Sequence, residues 1–386
     1  MLKLRKHIST IFDHNNTKDK SFRSFFVEVP LPFHCLMKKI LVAPLNWGLG
    51  HATRCIPIIE ALLSHRFVPV LASDGAALKL LTKEFPELDA IELPSYNISY
   101  AKKGERFKLK MLQDSPHLIK TIKREKAATK AIVKTYNIEG IISDNRFGVR
   151  SKKVPSVFIT HQLRVLSGST TWLSTALHQK IISKFTECWV PDQENEPNLS
   201  GDLGHQAGLD IPLKYLGPLS RFKKSSTPVL YKLMVLLSGP EPQRTMLEEK
   251  LLGLLEDYPH PCLFVKGCIE AQQNVTTRGN LTIYNYLTTE MLESAINSSE
   301  LVLCRSGYTT VMDLAKLEKK AFFIPTPGQF EQVYLAERFL DLGIAPCASQ
   351  DDFELEWLNE TKNFTGFKAF RETPDYSKLF HLFEGK

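Results

Sequence analysis

His51 closes the run Asn46-Trp47-Gly48-Leu49-Gly50-His51-Ala52-Thr53-Arg54, and an imidazole in that place can take a proton from a hydroxyl group. Gly48 and Gly50 let the backbone turn sharply and approach a ligand, and a helix opening here would offer unpaired N–H groups to an anion. A G-x-G pair is equally the mark of a tight turn with no ligand, and the third glycine of a dinucleotide fingerprint is absent. A second group, Ile141-Ile142-Ser143-Asp144-Asn145, ends an apolar run on a carboxylate. Asp144 can be a turn former or helix cap, or it can orient His51 by fixing its tautomer and raising its basicity.

The richest constellation lies in the second half: Cys304-Arg305-Ser306-Gly307-Tyr308-Thr309-Thr310-Val311-Met312-Asp313, then Ile324-Pro325-Thr326-Pro327-Gly328-Gln329-Phe330-Glu331-Gln332. A strand, a Ser-Gly turn at Ser306 and Gly307, and a helix begun by Thr309 and Thr310 would cradle phosphate with N–H groups, hydroxyls and the helix dipole. Arg305 is expected to neutralise a diphosphate bidentately, and Asp313 to accept from a ribose diol. Glu331 and Gln332 open the next helix and could read sugar hydroxyls. Each of these residues alone is an ordinary cap or surface residue; together they specify a nucleotide site.

Positioning such groups requires strands that end together. From Lys39 short apolar runs alternate with amphipathic segments, the pattern of a parallel sheet wound with helices. Strands are expected at 40–43, 68–72, 90–93, 140–143, 157–160 and 188–190, with helices at 55–64, 76–84, 107–136 and 171–184. The alternation breaks in a polar, glycine-containing stretch and resumes at Leu233. The fold class is therefore α/β with two Rossmann-like domains: an irregular extension over 1–36, a first domain over 37–191, a linker over 192–228, a second domain over 229–375, and a C-terminal helix over 376–386 that packs back on the first.

The chain has 386 residues, 43% of them hydrophobic and 24% charged, enough to bury two cores and unlike a fibrous or disordered composition. Seven cysteines without a C-x-x-C pair indicate neither a disulfide framework nor a zinc site and suit a reducing cytoplasm. The first 36 residues lack the apolar core of a signal peptide, and no apolar run approaches the ~18 residues of a membrane span. The formal charge of +7 suits anionic partners. Its densest stretch, from Lys102 to Lys134, interleaves cations with Phe107, Leu109 and Met111, as a solvated helix face or as a contact with anionic membrane. Nucleic-acid binding is disfavoured, since that stretch lacks an aromatic platform or reader motif.

The segment from Leu301 to Leu340 resembles the donor-binding region of GT-B glycosyltransferases, both the family 28 enzymes that include the lipid II-forming N-acetylglucosaminyl transferase and the UDP-glycosyltransferases. The resemblance rests on Cys304-Arg305-Ser306-Gly307, Thr310-Val311, the acid Asp313, and Gln332 before Tyr334. In the UDP-glycosyltransferase pattern Arg305 stands at a diphosphate-binding His, Thr309 and Thr310 at Asn and Ser, Asp313 at a Glu, and Glu331-Gln332 at a sugar-reading Asp-Gln. Ser238-Gly239 is similar to the phosphate-contacting turn that opens the nucleotide domain, and the Gly48 to His51 turn to the acceptor-side loop whose His is the catalytic base, with Asp144 as its partner.

No second or third glycine-rich loop of the lipid II-forming enzymes is evident, and Asp313 is shorter than the usual Glu. The resemblance implies inverting, metal-independent transfer of a hexose or N-acetylhexosamine from a UDP-sugar to a hydroxyl acceptor, lipid-linked in the family 28 relatives, with UDP-sugar as co-substrate and no resident cofactor. It implies a cytoplasmic protein at the inner face of a membrane. A sugar-nucleotide hydrolase or epimerase on the same fold is the rival, and a nucleotide-sugar-binding protein without catalysis a third reading.

Overall fold

The computed structural model describes residues 37–96 and 107–385 apart from 207, 269 and 371, with side chains described from 117 onward in the helix that begins at 107. The expected extension over 1–36 and the cations Lys102, Lys103 and Arg106 lie outside those residues, as do the side chains of Lys108 and Lys110.

Apolar runs bounded by polar turns become strands. The first sheet contains β1 (Lys39–Pro44), β2 (Val68–Ser73), β3 (Ala90–Glu92), β4 (Ile138–Asp144), β5 (Ser156–Ile159), β6 (Glu187–Val190) and β7 (Leu213–Tyr215). They are parallel in the order β3-β2-β1-β4-β5-β6-β7. Its helices are α1 (Gly50–Ser64), α2 (Gly75–Glu84), α3 (Phe107–Thr135) and α4 (Thr171–Ile182). The central strands β1, β4, β5 and β6 are almost wholly buried, as strands covered by helices on both faces must be. Strand order reverses between β1 and β4, whose carboxyl ends are in register at Pro44 and Asp144. The crevice outside such a switch point is where open α/β sheets bind ligands.

The second sheet, from β8 (Tyr231–Leu236), β9 (Cys262–Val265), β10 (Val275–Arg278), β11 (Leu281–Tyr284), β12 (Ser299–Cys304) and β13 (Lys320–Phe323), has the order β10-β11-β9-β8-β12-β13. It is parallel except for β10, an antiparallel edge strand whose four residues are all exposed. Between its strands run α5 (Gln243–Leu254), α6 (Thr289–Asn297), α7 (Tyr308–Lys316) and α8 (Phe330–Asp341). Here the order reverses between β8 and β12, so the turns after Leu236 and Cys304 flank a second switch point.

Three expectations need correction. First, α1 starts at Gly50 rather than Cys55, so His51 and Arg54 are helical; Pro57 lies in its second turn, leaving the Thr53 carbonyl without its usual helical donor. Second, 192–215 is not linker. The Asp192 carboxylate accepts from the N–H groups of Leu199 (2.8 Å) and Ser200 (2.7 Å) and from the Ser200 hydroxyl, Leu199 and Leu203 are fully buried, and β7 pairs with β6. The first domain thus runs through Tyr215, and the crossing chain begins at Leu216. Third, β7 and β10 are additional to the expected strands.

The terminal helix α9 (Tyr376–Glu384) packs on the first domain, where Phe380 and Phe383 meet the rings of Phe67 and Trp189. One contiguous buried cluster then extends from Ile40 and Val42 through Leu216 and Phe222 to Val302 and Phe339 of the second domain.

Candidate active site

Residues three apart on a helix share a face, so α1 presents His51 and Arg54 together. Both side chains meet Asp144, fully buried at the end of β4. His51 Nδ1 lies 2.8 Å from Asp144 Oδ1. Arg54 grips the same carboxylate with two donors, Nε at 2.5 Å from Oδ2 and Nη2 on Oδ1. Burial alone would push the Asp144 carboxyl up, but Arg54 and His51 beside it hold it well below the usual carboxylate range. Burial pushes His51 down; Asp144 opposes this, and Arg54 and His161 add to it. An ionised Asp144 has no proton to give, so Nδ1–H donates to it and Nε2 is the nitrogen left to accept a proton.

The same cluster crosses to the second domain. His161, just beyond β5, places Nδ1 3.4 Å from Arg54 Nη1 and Nε2 2.9 Å from Glu331 Oε1, while Gln162 Nε2 donates to Glu331 Oε2. Its ring stacks on Tyr308 at the start of α7, with centroids 4.0 Å apart and planes within 4°. Burial would raise the Glu331 carboxyl, but His161 and then Arg54 hold it low. Nothing in the sequence marks Arg54, His161 or Gln162 as members of this cluster, since their partners are distant in sequence; a histidine closing the apolar run at β5 was the available signal.

Gly48 sits at φ +71°, a conformation that favours glycine. Gly50 approaches α7 so closely that a Cβ there would lie 2.5 Å from Thr309 Oγ1. The glycine turn of the first domain and the N-terminus of α7 therefore face each other. Thr309 and Thr310 are partly exposed, and Gly307 caps the helix without a side-chain bond, so its first-turn N–H groups remain available to an anion. Ser238 and Gly239 are exposed after β8, with Gly239 at φ +110°.

Arg305 departs from expectation. Its guanidinium is buried and bonds the carbonyls of Ile324, Pro325 and Gln243 at 3.0 Å and the Gln350 carboxamide at 2.6 Å. With both terminal nitrogens committed, it cannot clamp a diphosphate bidentately; it braces the loops after β12 and β13. Burial lowers its pKa to about 10, and its Nε has no partner. Ser306 is likewise inward, donating to the Gln332 carbonyl at 2.7 Å, and the Gln332 side-chain oxygen accepts from Thr326 N–H at 2.8 Å. These two residues hold the loop in shape, and the oxygen of Gln332 is not offered to a sugar.

Asp313 accepts from Ser220 at 2.5 Å, on the crossing chain, and burial raises its pKa to about 7 against the opposing effects of Ser220 and Arg221.

Comparison with known proteins gives these geometries a context. Residues 266–363 match the glycosyltransferase family 28 C-terminal domain. The chain is similar to the UDP-N-acetylglucosamine–N-acetylmuramyl-(pentapeptide) pyrophosphoryl-undecaprenol N-acetylglucosamine transferase of Haemophilus ducreyi, 21% identical over 59% of this chain and 64% of that enzyme. Its likeness to the same-named enzyme of Histophilus somni is 25% over 54% of this chain and 57% of that one, so the chain spans less than two thirds of either relative. An uncharacterised glycosyltransferase of Methanopyrus kandleri is 22% identical over 76% of this chain and 87% of its own. Among solved structures, MurG of Acinetobacter baumannii superposes with a TM-score of 0.55 over 90% of this chain and 99% of that one, at 14% identity. The spinosyn rhamnosyltransferase SpnG gives 0.61 over 90% and 100%, also at 14%. The fold is GT-B.

Proposed function

We propose, for a chain whose second half carries a glycosyltransferase family 28 C-terminal domain within a GT-B fold, that it transfers a hexose or N-acetylhexosamine from a UDP-sugar to a hydroxyl acceptor. One observation carries the reading. A half-buried His51 paired with buried Asp144 at the first switch point faces the open helix N-terminus at the second, with the domain match covering the latter.

In this reaction Nε2 of His51 takes the acceptor O–H proton as the acceptor oxygen bonds to the anomeric carbon. The bond from that carbon to the diphosphate oxygen breaks, and UDP leaves. A single in-line displacement of this kind inverts the anomeric centre. The step uses no metal ion and no resident cofactor: the leaving charge is met by the first-turn N–H groups of α7 and by the Ser238-Gly239 turn. Since the terminal nitrogens of Arg305 are occupied, it contributes as a buried positive charge and through Nε. Asp313 is assigned to the ribose diol and Glu331 to the sugar, and the acceptor to the lipid-linked class at an anionic membrane surface.

Thermal unfolding against a panel of UDP-sugars tests this directly, because a ligand at ~100 times its Kd adds about 2.7 kcal/mol to the folded state. One sugar should raise the midpoint above UDP alone. A panel in which neither UDP nor any UDP-sugar stabilises the chain would sink the reading, and release of free sugar without transfer would favour the hydrolase.

A further inference from the structure

We propose that Arg54 is a positioning residue for proton transfer: it occupies the Asp144 carboxylate so that His51 rests as neutral imidazole, and it thereby sets the pH above which the chain can deprotonate its acceptor. The proposal rests on the reading of His51 as the base.

A histidine bonded to a buried carboxylate gains a strong preference for the imidazolium form, because each charge is the other's only compensation. The stronger that preference, the higher the pH that is needed before the base is free to take a proton. In this chain the carboxylate is satisfied otherwise. Arg54, 2% exposed, bonds both Asp144 oxygens, and Oδ1 is shared between Arg54 Nη2 and His51 Nδ1. The same Nη2 lies 2.8 Å from His51 Nδ1. A second proton on His51 would set imidazolium against guanidinium across that distance, with Asp144 unable to neutralise both.

Of the other groups that face this cluster, His161 acts on His51 in the same direction as Arg54. Cys55, also on α1, lies 3.7 Å from Asp144 Oδ2 with its thiol raised by burial and therefore neutral. His161, beyond β5, faces Arg54 with Nδ1, and the Glu331 carboxylate from α8 accepts one bond on each oxygen, from His161 and Gln162, with lone pairs to spare. The phenol of Tyr308 on α7 is raised by burial and stays uncharged. Stability is a poor account of Arg54, because a buried ion pair repays little more than its own desolvation. Its place between the base and the carboxylate is explained by what it does to the base.

The test uses the full chain and reads His51 itself. Histidine ring resonances are titrated in wild type, Arg54→Gln and Arg54→Lys, with the His51 signal identified by its loss in His51→Asn. Arg54→Gln should raise the His51 midpoint by about one pH unit or more, which is at least a tenfold rise in the ratio of imidazolium to imidazole on the alkaline side. Arg54→Lys, which keeps the charge, should stay close to wild type. The turnover of Arg54→Gln should fall at neutral pH and recover as pH rises, a recovery that damage to packing alone would not show. An unchanged or lowered midpoint in Arg54→Gln would overturn the proposal.

Should that variant fail to fold, Asp144→Asn is the second test. It leaves the repulsion of Arg54 unopposed and should lower the His51 midpoint; a rise would count against Arg54. The base reading fails separately, by full turnover in His51→Ala, with the titration result left standing.

Discussion

At the scale of single residues, the site is made by groups whose charges are set by burial and by the charged groups beside them. His51 is held below its ordinary value and Asp144 below the carboxylate range, so around neutral pH the pair is imidazole beside carboxylate. A positioned base is worth roughly 10²–10⁴-fold in rate, and His51→Ala should lose about that much turnover with donor affinity nearly unchanged, as kinetics and calorimetry on one preparation would show. Asp313 is the opposite case. Raised to about 7 by burial, it is protonated in the folded chain at a pH where the unfolded chain has already ionised. The stability it contributes is complete below the unfolded value near 4 and is lost as pH climbs through about 7. Asp313→Asn, which stays neutral, should therefore gain in unfolding midpoint relative to wild type between pH 5 and pH 8. The same replacement should weaken UDP at pH 8 by about tenfold or more, because charge-assisted bonds to the ribose contribute roughly 1.5–3 kcal/mol. A parallel midpoint at both pH values would mean that Asp313 is ionised throughout.

At the scale of elements, the site depends on two helix N-termini meeting. Gly50→Ala would drive a methyl group against Thr309 Oγ1, forcing α1 and α7 apart or twisting the threonine. Turnover should fall, and Thr309→Ala in that background should restore part of it; no recovery would place the damage within α1 itself. The meeting of these elements was legible in part. Alternating apolar runs foretell both sheets, and glycines beside His51 and after Cys304 mark both switch points. The start of α1 is harder to read, because proline is commonest in a first turn and Pro57 sits in the second turn of this helix. β7 is three half-buried residues after a polar stretch, and that stretch looks like linker because its order comes from one carboxylate, Asp192, capping N–H groups up to eight residues away. Arg305 misleads for a related reason. An arginine beside a Ser-Gly turn suggests phosphate, whereas its actual acceptors are carbonyls 19 and 20 residues away and a glutamine 45 away. Arg54 reads as one more polar helix residue until Asp144, 90 positions later, is brought under it.

At the scale of the molecule, the chain returns to where it began. α9 lies at the far end of the sequence yet completes the first domain, with Phe383 2% exposed among Phe67, Trp189 and Phe380. Phe383→Ala should cost about 3–5 kcal/mol, read as a lowered denaturant midpoint. The outer surface of that domain bears on the membrane contact proposed above. Among the described residues no helix is long and apolar enough to cross a membrane. On α3 the cations Lys120, Lys123, Arg124, Lys126, Lys130 and Lys134 are exposed. Neighbouring α4 exposes Trp172 (73%), Leu173 (44%) and Leu177 (57%), and no acidic residue occurs from Gln162 to Thr186. The two helices flank one turn, where the Gly148 N–H donates to Glu125 of α3 and the Phe147 ring packs on His178 of α4. An aromatic and two leucines beside exposed cations match the chemistry of an anionic bilayer surface, apolar groups entering the headgroup boundary while lysines meet phosphate. Flotation with anionic vesicles at low salt should carry the wild-type chain upward, and added salt should weaken the association as the charges are screened. Replacing Trp172, Leu173 and Leu177 together by serine should weaken it at every salt concentration. Equal behaviour with neutral vesicles, or no effect of the triple replacement, would reduce α3 and α4 to solvated faces and leave the acceptor to be met in solution.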